Sequence, residues 1–197
     1  MAHVYEYDVF ISYQRSSHTV PEWIKNHFYP RLSELLDDNA DFDVKVFYDA
    51  DLPAGAVWPL QLQRALRRTR ILLPVCSPRY FQDEWCLAEW HSMAKREEIV
   101  GMSSEEQPEG LIYPVIFSDS ENFPQYAKAR RMRSFRDLNQ PYPQFQASAA
   151  YLDFHRAMDR VAEDLVQIIG RVPDWQPDWP VTMPKPEASR RPRLPKF

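Results

Sequence analysis

The stretch that decides the fold covers residues 71–89 and reads ILLPVCSPRYFQDEWCLAE. Its first six residues are an apolar run typical of a buried strand, which the Ser-Pro pair that follows brings to an end. Asp83 is suited to cap a new helix, on which Trp85 and Glu89 lie four residues apart on one face. A carboxylate beside a large aromatic side chain is partly desolvated, which raises its pKa. Glu89 is therefore a candidate functional residue, against the alternative of a solvated helix glutamate.

The composition excludes several classes of protein. The chain has 197 residues, of which 14% are aromatic and 26% charged, and this fits one domain of about 150–170 residues plus extensions. A net charge of −4 gives no reason to expect nucleic-acid binding. The two cysteines lie in apolar segments and the five histidines are scattered, so we expect a reducing compartment and no metal site. With neither a signal peptide nor a membrane-spanning run, the sequence predicts a cytoplasmic protein without membrane contact.

Patterns typical of strands and helices alternate along the chain. We predict strands at residues 9–13, 44–49, 71–76, 111–117 and 134–138, and helices from Pro21 onward, at 58–69, after Asp83, around Tyr126 and at 149–169. Such alternation calls for a parallel sheet that is covered by helices on both faces. The predicted fold class is therefore α/β, a flavodoxin-like five-stranded parallel sheet in the order 2-1-3-4-5.

Three prolines interrupt these predicted elements. Pro30 lies inside the first helical pattern and should kink or break that helix. Pro74 and Pro114 lie inside predicted strands, where a residue without a backbone N–H should mark a bulge or a strand end.

The end of the chain has the composition of a linker. Residues 173–197 contain seven prolines and finish with a basic cluster. We therefore divide the chain into a domain at residues 5–172 and a proline-rich basic tail or linker at residues 173–197, whose composition suggests a tether to another domain. Trp175 and Trp179 are expected to pack back on the domain and to order the first residues of the tail.

The predicted strand order places two polar side chains together. In this order the ligand crevice lies outside the carboxyl ends of the first and third strands. Arg15 lies in the loop after the first strand, and Glu89 lies in the segment after the third. We therefore expect Arg15 and Glu89 to meet in this crevice.

Four motifs, in this order, resemble those of TIR (Toll/interleukin-1 receptor) domains. They are YDVFISY at residues 7–13, FYD at 47–49 followed by LPAG at 52–55, SPRYF at 77–81 and WCLAE at 85–89. The last is similar to the Trp-Cys-x-x-Glu signature of TIR domains that cleave NAD⁺, and the resemblance covers about residues 5–170. It implies a TIR fold of the NAD-cleaving type, from a bacterial source, with a mobile loop after the second strand.

The resemblance also implies an activity and a set of site residues. The nicotinamide–ribose bond of NAD⁺ would be cleaved, to give nicotinamide and ADP-ribose or a cyclic variant, with NAD⁺ as the substrate and no cofactor. The leaving base is cationic in NAD⁺ and departs neutral, so one carboxylate is chemically sufficient, and this role falls to Glu89. The implied substrate-binding residues are Tyr13, Arg15, Asp49, Leu52, Trp58 and Trp85.

Several of these residues also fit structural roles. Arg15 equally suits a surface position, Trp58 and Trp85 suit the core, and Asp49 suits a turn or an ion pair with Arg15. A basic cluster at Arg64, Arg67, Arg68 and Arg70 fits a docking surface for another copy, although we favour a solvated helix face.

Two functions from different classes are therefore weighed. The first is an NAD⁺ hydrolase that self-associates through TIR–TIR contacts and acts as an immune or cell-suicide signalling effector. The second is a non-catalytic TIR adaptor, which would not require Glu89 in its Trp-Cys context. A nucleotide- or flavin-binding protein or a response regulator is a weaker alternative, because the four glycines form no phosphate-binding loop and Asp49 is poorly placed for a response regulator.

Overall fold

A parallel five-stranded sheet organises the chain. The computed structural model describes residues 4–49, 58–105 and 109–184, with Trp58 described by its backbone alone. The strands are β1 (Tyr7–Ser12), β2 (Val46–Phe47), β3 (Thr69–Cys76), β4 (Val115–Ile116) and β5 (Arg133–Ser134). Their order is β2-β1-β3-β4-β5 and every pairing is parallel. The predicted fold class and strand order are confirmed.

The helices lie on both faces of this sheet. They are α1 (Thr19–Trp23), α2 (Tyr29–Asn39), α3 (Trp58–Arg67), α4 (Glu84–Val100), α5 (Gln125–Lys128) and α6 (Ala150–Ile169), with short 3₁₀ turns at Tyr80–Gln82 and Pro143–Ala147. Successive residues of β1 point to opposite faces, so Val9 and Ile11 join one buried cluster while Phe10 joins the other. Both faces of the central strands are therefore buried, as in a parallel sheet that helices cover on both sides.

The interruption expected at Pro30 takes the form of a π-helical turn. Helical residues run from α1 through a π segment, Ile24–Phe28, into α2, where Pro30 stands at the start. The N–H of Tyr29 donates to the carbonyl of Ile24, five residues back. The first turn of a helix tolerates a residue without an N–H, so the chain continues as helix past the proline.

The prediction of a bulge or strand end at Pro74 is wrong. β3 continues through Pro74, which pairs with Ser12 of β1, and ends at Cys76. On the other side, β3 pairs with β4 at Val75↔Val115, and an isolated bridge joins Leu72 to Ile112. The two pairings have the same offset, 115 − 75 = 112 − 72 = 40, so the register is kept. The prolines leave a gap in the ladder, and β4 is shortened to two residues where 111–117 was predicted.

The chain after α6 packs back across the domain at residues 173–182, a segment we call the strap. The Tyr5 hydroxyl donates to the carbonyl of Pro173 at 2.9 Å, and the indole N–H of Trp175 donates to that of Arg67 at 3.1 Å. Trp179 is only 2% exposed, with its ring over the Arg96 guanidinium. Thr182 donates its N–H to the Ser92 hydroxyl at 2.7 Å. The tail thus begins as part of the packed structure, and residues 185–197, the rest of the predicted linker, lie outside the described residues.

Candidate active site

The site lies at the carboxyl ends of β1 and β3. β3 ends at Cys76, and a 3₁₀ turn leads to α4. Asp83 caps this helix, since its side chain accepts hydrogen bonds from the backbone N–H groups of Trp85 at 3.0 Å and Cys86 at 3.1 Å. The N-cap predicted from the sequence is confirmed. It fixes the start of α4, so that Glu89 comes in the second turn and faces the end of β1.

Glu89 is almost completely buried, with 1% of its surface exposed. Its Oε2 accepts a hydrogen bond of 2.5 Å from the Ser12 hydroxyl, at the end of β1. Its Oε1 accepts from the Nη2 of Arg15 at 3.3 Å. The expected meeting of Arg15 and Glu89 is therefore observed, and each carboxylate oxygen has a different partner.

Asp49 links Arg15 to Tyr13. One of its carboxylate oxygens accepts from the Arg15 Nε and the other from the Tyr13 hydroxyl. The Arg15 guanidinium thus bridges the carboxylates of Asp49 and Glu89, with 22% of its side chain exposed. Of the two alternatives left open for Asp49, the ion pair with Arg15 is the one observed.

The other predicted binding residues are Leu52, Trp58 and Trp85. Trp85 is half-buried and packs against the buried cluster on the α3 and α4 side of the sheet. Leu52, with most of the predicted mobile loop, lies outside the described residues, and so does the side chain of Trp58.

Burial governs the electrostatics of the site. It raises the pKa of Glu89 above the ordinary range of a glutamate, although the Arg15 cation and the Ser12 hydrogen bond partly offset the effect. Burial disfavours the Arg15 cation, yet the carboxylates of Glu89 and Asp49 outweigh it and raise the pKa of Arg15. The pKa of Tyr13 is raised by burial and by its hydrogen bond to Asp49. Arg15 therefore remains a cation, and Glu89 is a carboxyl group whose ionisation depends on its two donors.

Two residues near the Glu89 carboxylate were not predicted from the sequence. One contacts it directly, and the other contacts it through the hydroxyl of the first. Ser12 bonds Glu89, and the Tyr80 hydroxyl lies 2.7 Å from the Ser12 Oγ, in a fully buried pair. Both residues stand in motifs that were quoted, YDVFISY and SPRYF. The available signal was position, since Ser12 is the last residue of β1 and lies at the predicted crevice.

The basic cluster after the second strand is largely paired within the chain. Arg64 and Arg68 contact Glu6 at 3.2 and 3.1 Å, and Arg70 contacts Asp8 at 2.9 Å. These pairs are partly exposed and neutralise most of the cluster. This arrangement agrees with the solvated helix face that we favoured over a docking surface.

Over the part of the chain that the structure describes, no helix is both long and apolar enough to cross a bilayer. Within the same residues, no group of three or more His, Cys, Asp or Glu side chains is placed to hold a metal ion.

Comparisons with known proteins identify the family. Two solved structures show similarity at low identity. The TIR domain of the Toll-related receptor TRR-2 from Hydra magnipapillata is 19% identical, with a TM-score of 0.44 over 77% of this chain and 98% of that one. The TIR domains of the activated Roq1 resistosome, which directly recognises the pathogen effector XopQ, are 19% identical, with a TM-score of 0.42 over 84% of this chain and 96% of that one. A search of curated proteins gave no match. The family model described as TIR domain matches residues 9–168, and the chain therefore belongs to the TIR domain family.

Proposed function

We propose that this TIR domain is an NAD⁺ hydrolase that cleaves the bond between nicotinamide and ribose. The products would be nicotinamide and ADP-ribose, or a cyclic ADP-ribose variant. The observation that carries the proposal is the buried Glu89 carboxylate, held by Ser12 and Arg15 at the carboxyl edge of β1 and β3. Parallel sheets of this order bind ligands at this edge.

The reaction suits a site with one carboxylate. Nicotinamide is cationic in NAD⁺ and leaves as a neutral base, so it requires no general acid. As the bond breaks, positive charge develops on the ribose, and an ionised carboxylate fixed nearby stabilises that charge. Water then supplies the hydroxyl at the anomeric carbon and releases a proton. Glu89 is the residue we assign to charge stabilisation and to orienting the ribose.

Arg15 is the residue we assign to the substrate phosphates. An anionic substrate competes with Glu89 for the guanidinium, and the 3.3 Å bond between Nη2 and Oε1 is the contact it would replace. The Arg15 Nε bond to Asp49 can persist during this exchange, because it uses a different nitrogen. Substrate binding would thereby free Oε1 for the ribose. Tyr13 supports Asp49, while Leu52, Trp58 and Trp85 remain proposed binding residues.

The biological setting is proposed on the family resemblance. We infer a cytoplasmic immune or cell-suicide signalling effector of bacterial origin that acts after self-association through TIR–TIR contacts. A further domain would follow the proline-rich tail.

A second candidate, a non-catalytic TIR adaptor, is favoured by one observation. Both oxygens of Glu89 are engaged by protein groups and its surface is 1% exposed. In an adaptor the same group would serve only to tie α4 to β1 through Ser12 and Arg15. The two candidates differ in whether the folded protein consumes NAD⁺.

The experiment compares wild type with two charge-neutralising variants of α4. Glu89→Gln keeps the helix propensity and nearly the shape of the side chain, and Glu84→Gln is the matched control at an exposed position five residues earlier. Nicotinamide release is followed by chromatography, under crowding to favour assembly. We expect wild type and Glu84→Gln to release nicotinamide and Glu89→Gln to be slower by about a hundredfold or more. Equal turnover in a folded Glu89→Gln variant would remove Glu89 from the mechanism.

A further inference from the structure

Three buried side chains form a chain of hydrogen bonds behind the carboxylate. The Tyr80 hydroxyl lies 2.7 Å from the Ser12 Oγ, which lies 2.5 Å from the Oε2 of Glu89. Ser12 and Tyr80 are fully buried, and the Tyr80 hydroxyl also lies 3.4 Å from the carbonyl of Cys86. This series of hydrogen bonds therefore runs from Glu89 into the protein interior, away from Arg15.

Counting protons fixes the direction of these bonds. A serine hydroxyl has one hydrogen, and when Glu89 is ionised that hydrogen must point to Oε2. The hydrogen between Ser12 and Tyr80 must then come from Tyr80, so that Tyr80 donates to Ser12 and Ser12 donates to Glu89. Burial raises the pKa of Tyr80 and keeps its hydroxyl protonated, so this donor is always available.

The same three groups also accommodate a protonated Glu89. The carboxylic acid then donates to Ser12, Ser12 donates to Tyr80, and Tyr80 turns its hydrogen to the carbonyl of Cys86. None of these three groups has an unpaired donor in either state, so Glu89 can change its protonation without a rearrangement of the fold.

The two carboxylate oxygens are thereby distinguished. Oε2 is held inward by Ser12, whereas Oε1 contacts Arg15, whose side chain is partly exposed at the crevice. A hydrogen bond donated to a carboxylate favours its ionised form, so the Ser12 hydroxyl opposes the effect of burial on Glu89. Glu89 is the only charged group among the partners that the Ser12 and Tyr80 hydroxyls have in the described part of the chain.

We propose that Ser12 and Tyr80 are positioning residues for Glu89, which turn Oε1 toward the substrate and keep the carboxylate ionised at neutral pH. This inference rests on the proposed NAD⁺ hydrolase function. Among the residues that the structure describes, the titratable and charged groups around Glu89 are Arg15, Asp49, Tyr80 and Cys86. Burial raises the pKa of the Cys86 thiol, so Arg15 and Asp49 are the only other charged groups among these near neutral pH.

The test compares Ser12→Ala and Tyr80→Phe with wild type. Both variants remove one hydroxyl and leave the backbone pairing of β1 intact. We expect Ser12→Ala to lower kcat about tenfold with little change in KM, since the lost bond is to the catalytic carboxylate and not to the substrate. The acidic limb of the pH profile of kcat should move up by about one pH unit, because the ionised form loses a donor. Tyr80→Phe should shift the limb in the same direction by less, since it weakens the donor only through Ser12.

Ser92→Ala is the matched control. Ser92 is a buried serine on α4, and its hydroxyl bonds the carbonyl of Ala88 at 2.7 Å and the strap at Thr182. Its replacement removes a hydroxyl of equal size without touching Glu89, and should leave the pH limb where it is. A Ser12→Ala profile that coincides with those of wild type and Ser92→Ala would overturn the proposal.

A titration by NMR separates this inference from the proposed function. The ¹³C shift of the Glu89 side-chain carboxyl, assigned by its loss in Glu89→Gln, reports the ionisation of Glu89 without any turnover. We expect its midpoint to rise in Ser12→Ala relative to wild type. If wild type releases no nicotinamide, the hydrolase function fails while this titration still tests the chain. An unchanged midpoint in folded Ser12→Ala would refute the role of Ser12.

Discussion

Replacing Trp179 with alanine tests whether the strap belongs to the folded unit. Trp179 is 2% exposed, and its ring centre lies 5.0 Å from the Arg96 guanidinium carbon. Arg96 is fully buried and has no carboxylate partner among the described residues; it donates to the carbonyls of Thr69 at 2.7 Å and Leu66 at 3.1 Å. Burial lowers the pKa of Arg96 to about 10. The indole ring therefore covers a cation whose hydrogen bonds, within the described residues, go to backbone carbonyls.

The expected loss follows from burial of a whole tryptophan. Removing such a side chain typically costs about 3–5 kcal/mol. This loss has an upper limit. If the cavity left by the indole ring costs more free energy than detaching the strap from the domain, the strap of the variant detaches instead. We therefore expect the lower end, about 3 kcal/mol, which corresponds to a fall in Tm of about 6–12 °C for a domain of this size.

Thermal unfolding and urea unfolding of wild type and variant measure this loss. Trp175→Ala is the matched control, since Trp175 lies on the same strap, is only half-buried, and donates one hydrogen bond to the carbonyl of Arg67. It should cost about 1 kcal/mol. A Trp179→Ala loss below about 0.5 kcal/mol, the range of ordinary surface substitutions, would show that the strap is not part of the folded unit. So would equal losses for the two tryptophans.

Three further outcomes are expected. First, Glu89→Gln should be more stable than wild type at neutral pH, because the raised pKa of Glu89 means that its ionisation opposes folding. The difference in the free energy of unfolding should be absent below the pKa of a glutamate in the unfolded chain, about 4.3. It should grow as the pH rises through the pKa of Glu89 in the folded protein. Urea unfolding across this range measures it, and a difference that grows as pH falls would contradict the direction. Second, if self-association completes the site, nicotinamide release per molecule should rise with protein concentration; a flat value over a dilution series, with the protein monomeric in light scattering, would contradict it. Third, deleting residues 185–197 should leave Tm and turnover unchanged, because in the described part of the chain the last hydrogen bond of the strap is at Thr182. A fall of several degrees in Tm would assign the deleted residues to the fold.

The parallel, doubly covered sheet was predictable because it follows from the alternation of apolar runs and amphipathic segments. Strand lengths were not, because they depend on pairing partners. β2 is an edge strand that pairs with β1 only at Val46 and Phe47, so the apolar residues beside them do not extend it. Pro74 was misjudged for a related reason. A missing N–H affects the pairing with a neighbouring strand only where that strand offers a carbonyl to it, and the pairing of β3 with β1 continues through Pro74.

The candidate site was predictable to the extent that sequence position decides it. Arg15 and Glu89 follow adjacent strands, and topology alone brings them together. The roles of Ser12 and Tyr80 depend on side-chain direction at distances below 3 Å, which neither periodicity nor composition encodes. The buried position of Arg96 was equally hidden, because its partners are backbone carbonyls and a ring from the strap.

Following NAD⁺ itself shows directly whether this protein is a hydrolase. Wild-type protein at high concentration and under crowding is mixed with NAD⁺, and ¹H NMR records the substrate, nicotinamide and ribose signals over time while light scattering records assembly. We expect NAD⁺ to disappear with equimolar appearance of nicotinamide in wild type and Glu84→Gln, and to persist in Glu89→Gln. NAD⁺ that stays intact in the wild-type sample while the protein assembles would rule out the hydrolase function and favour the adaptor.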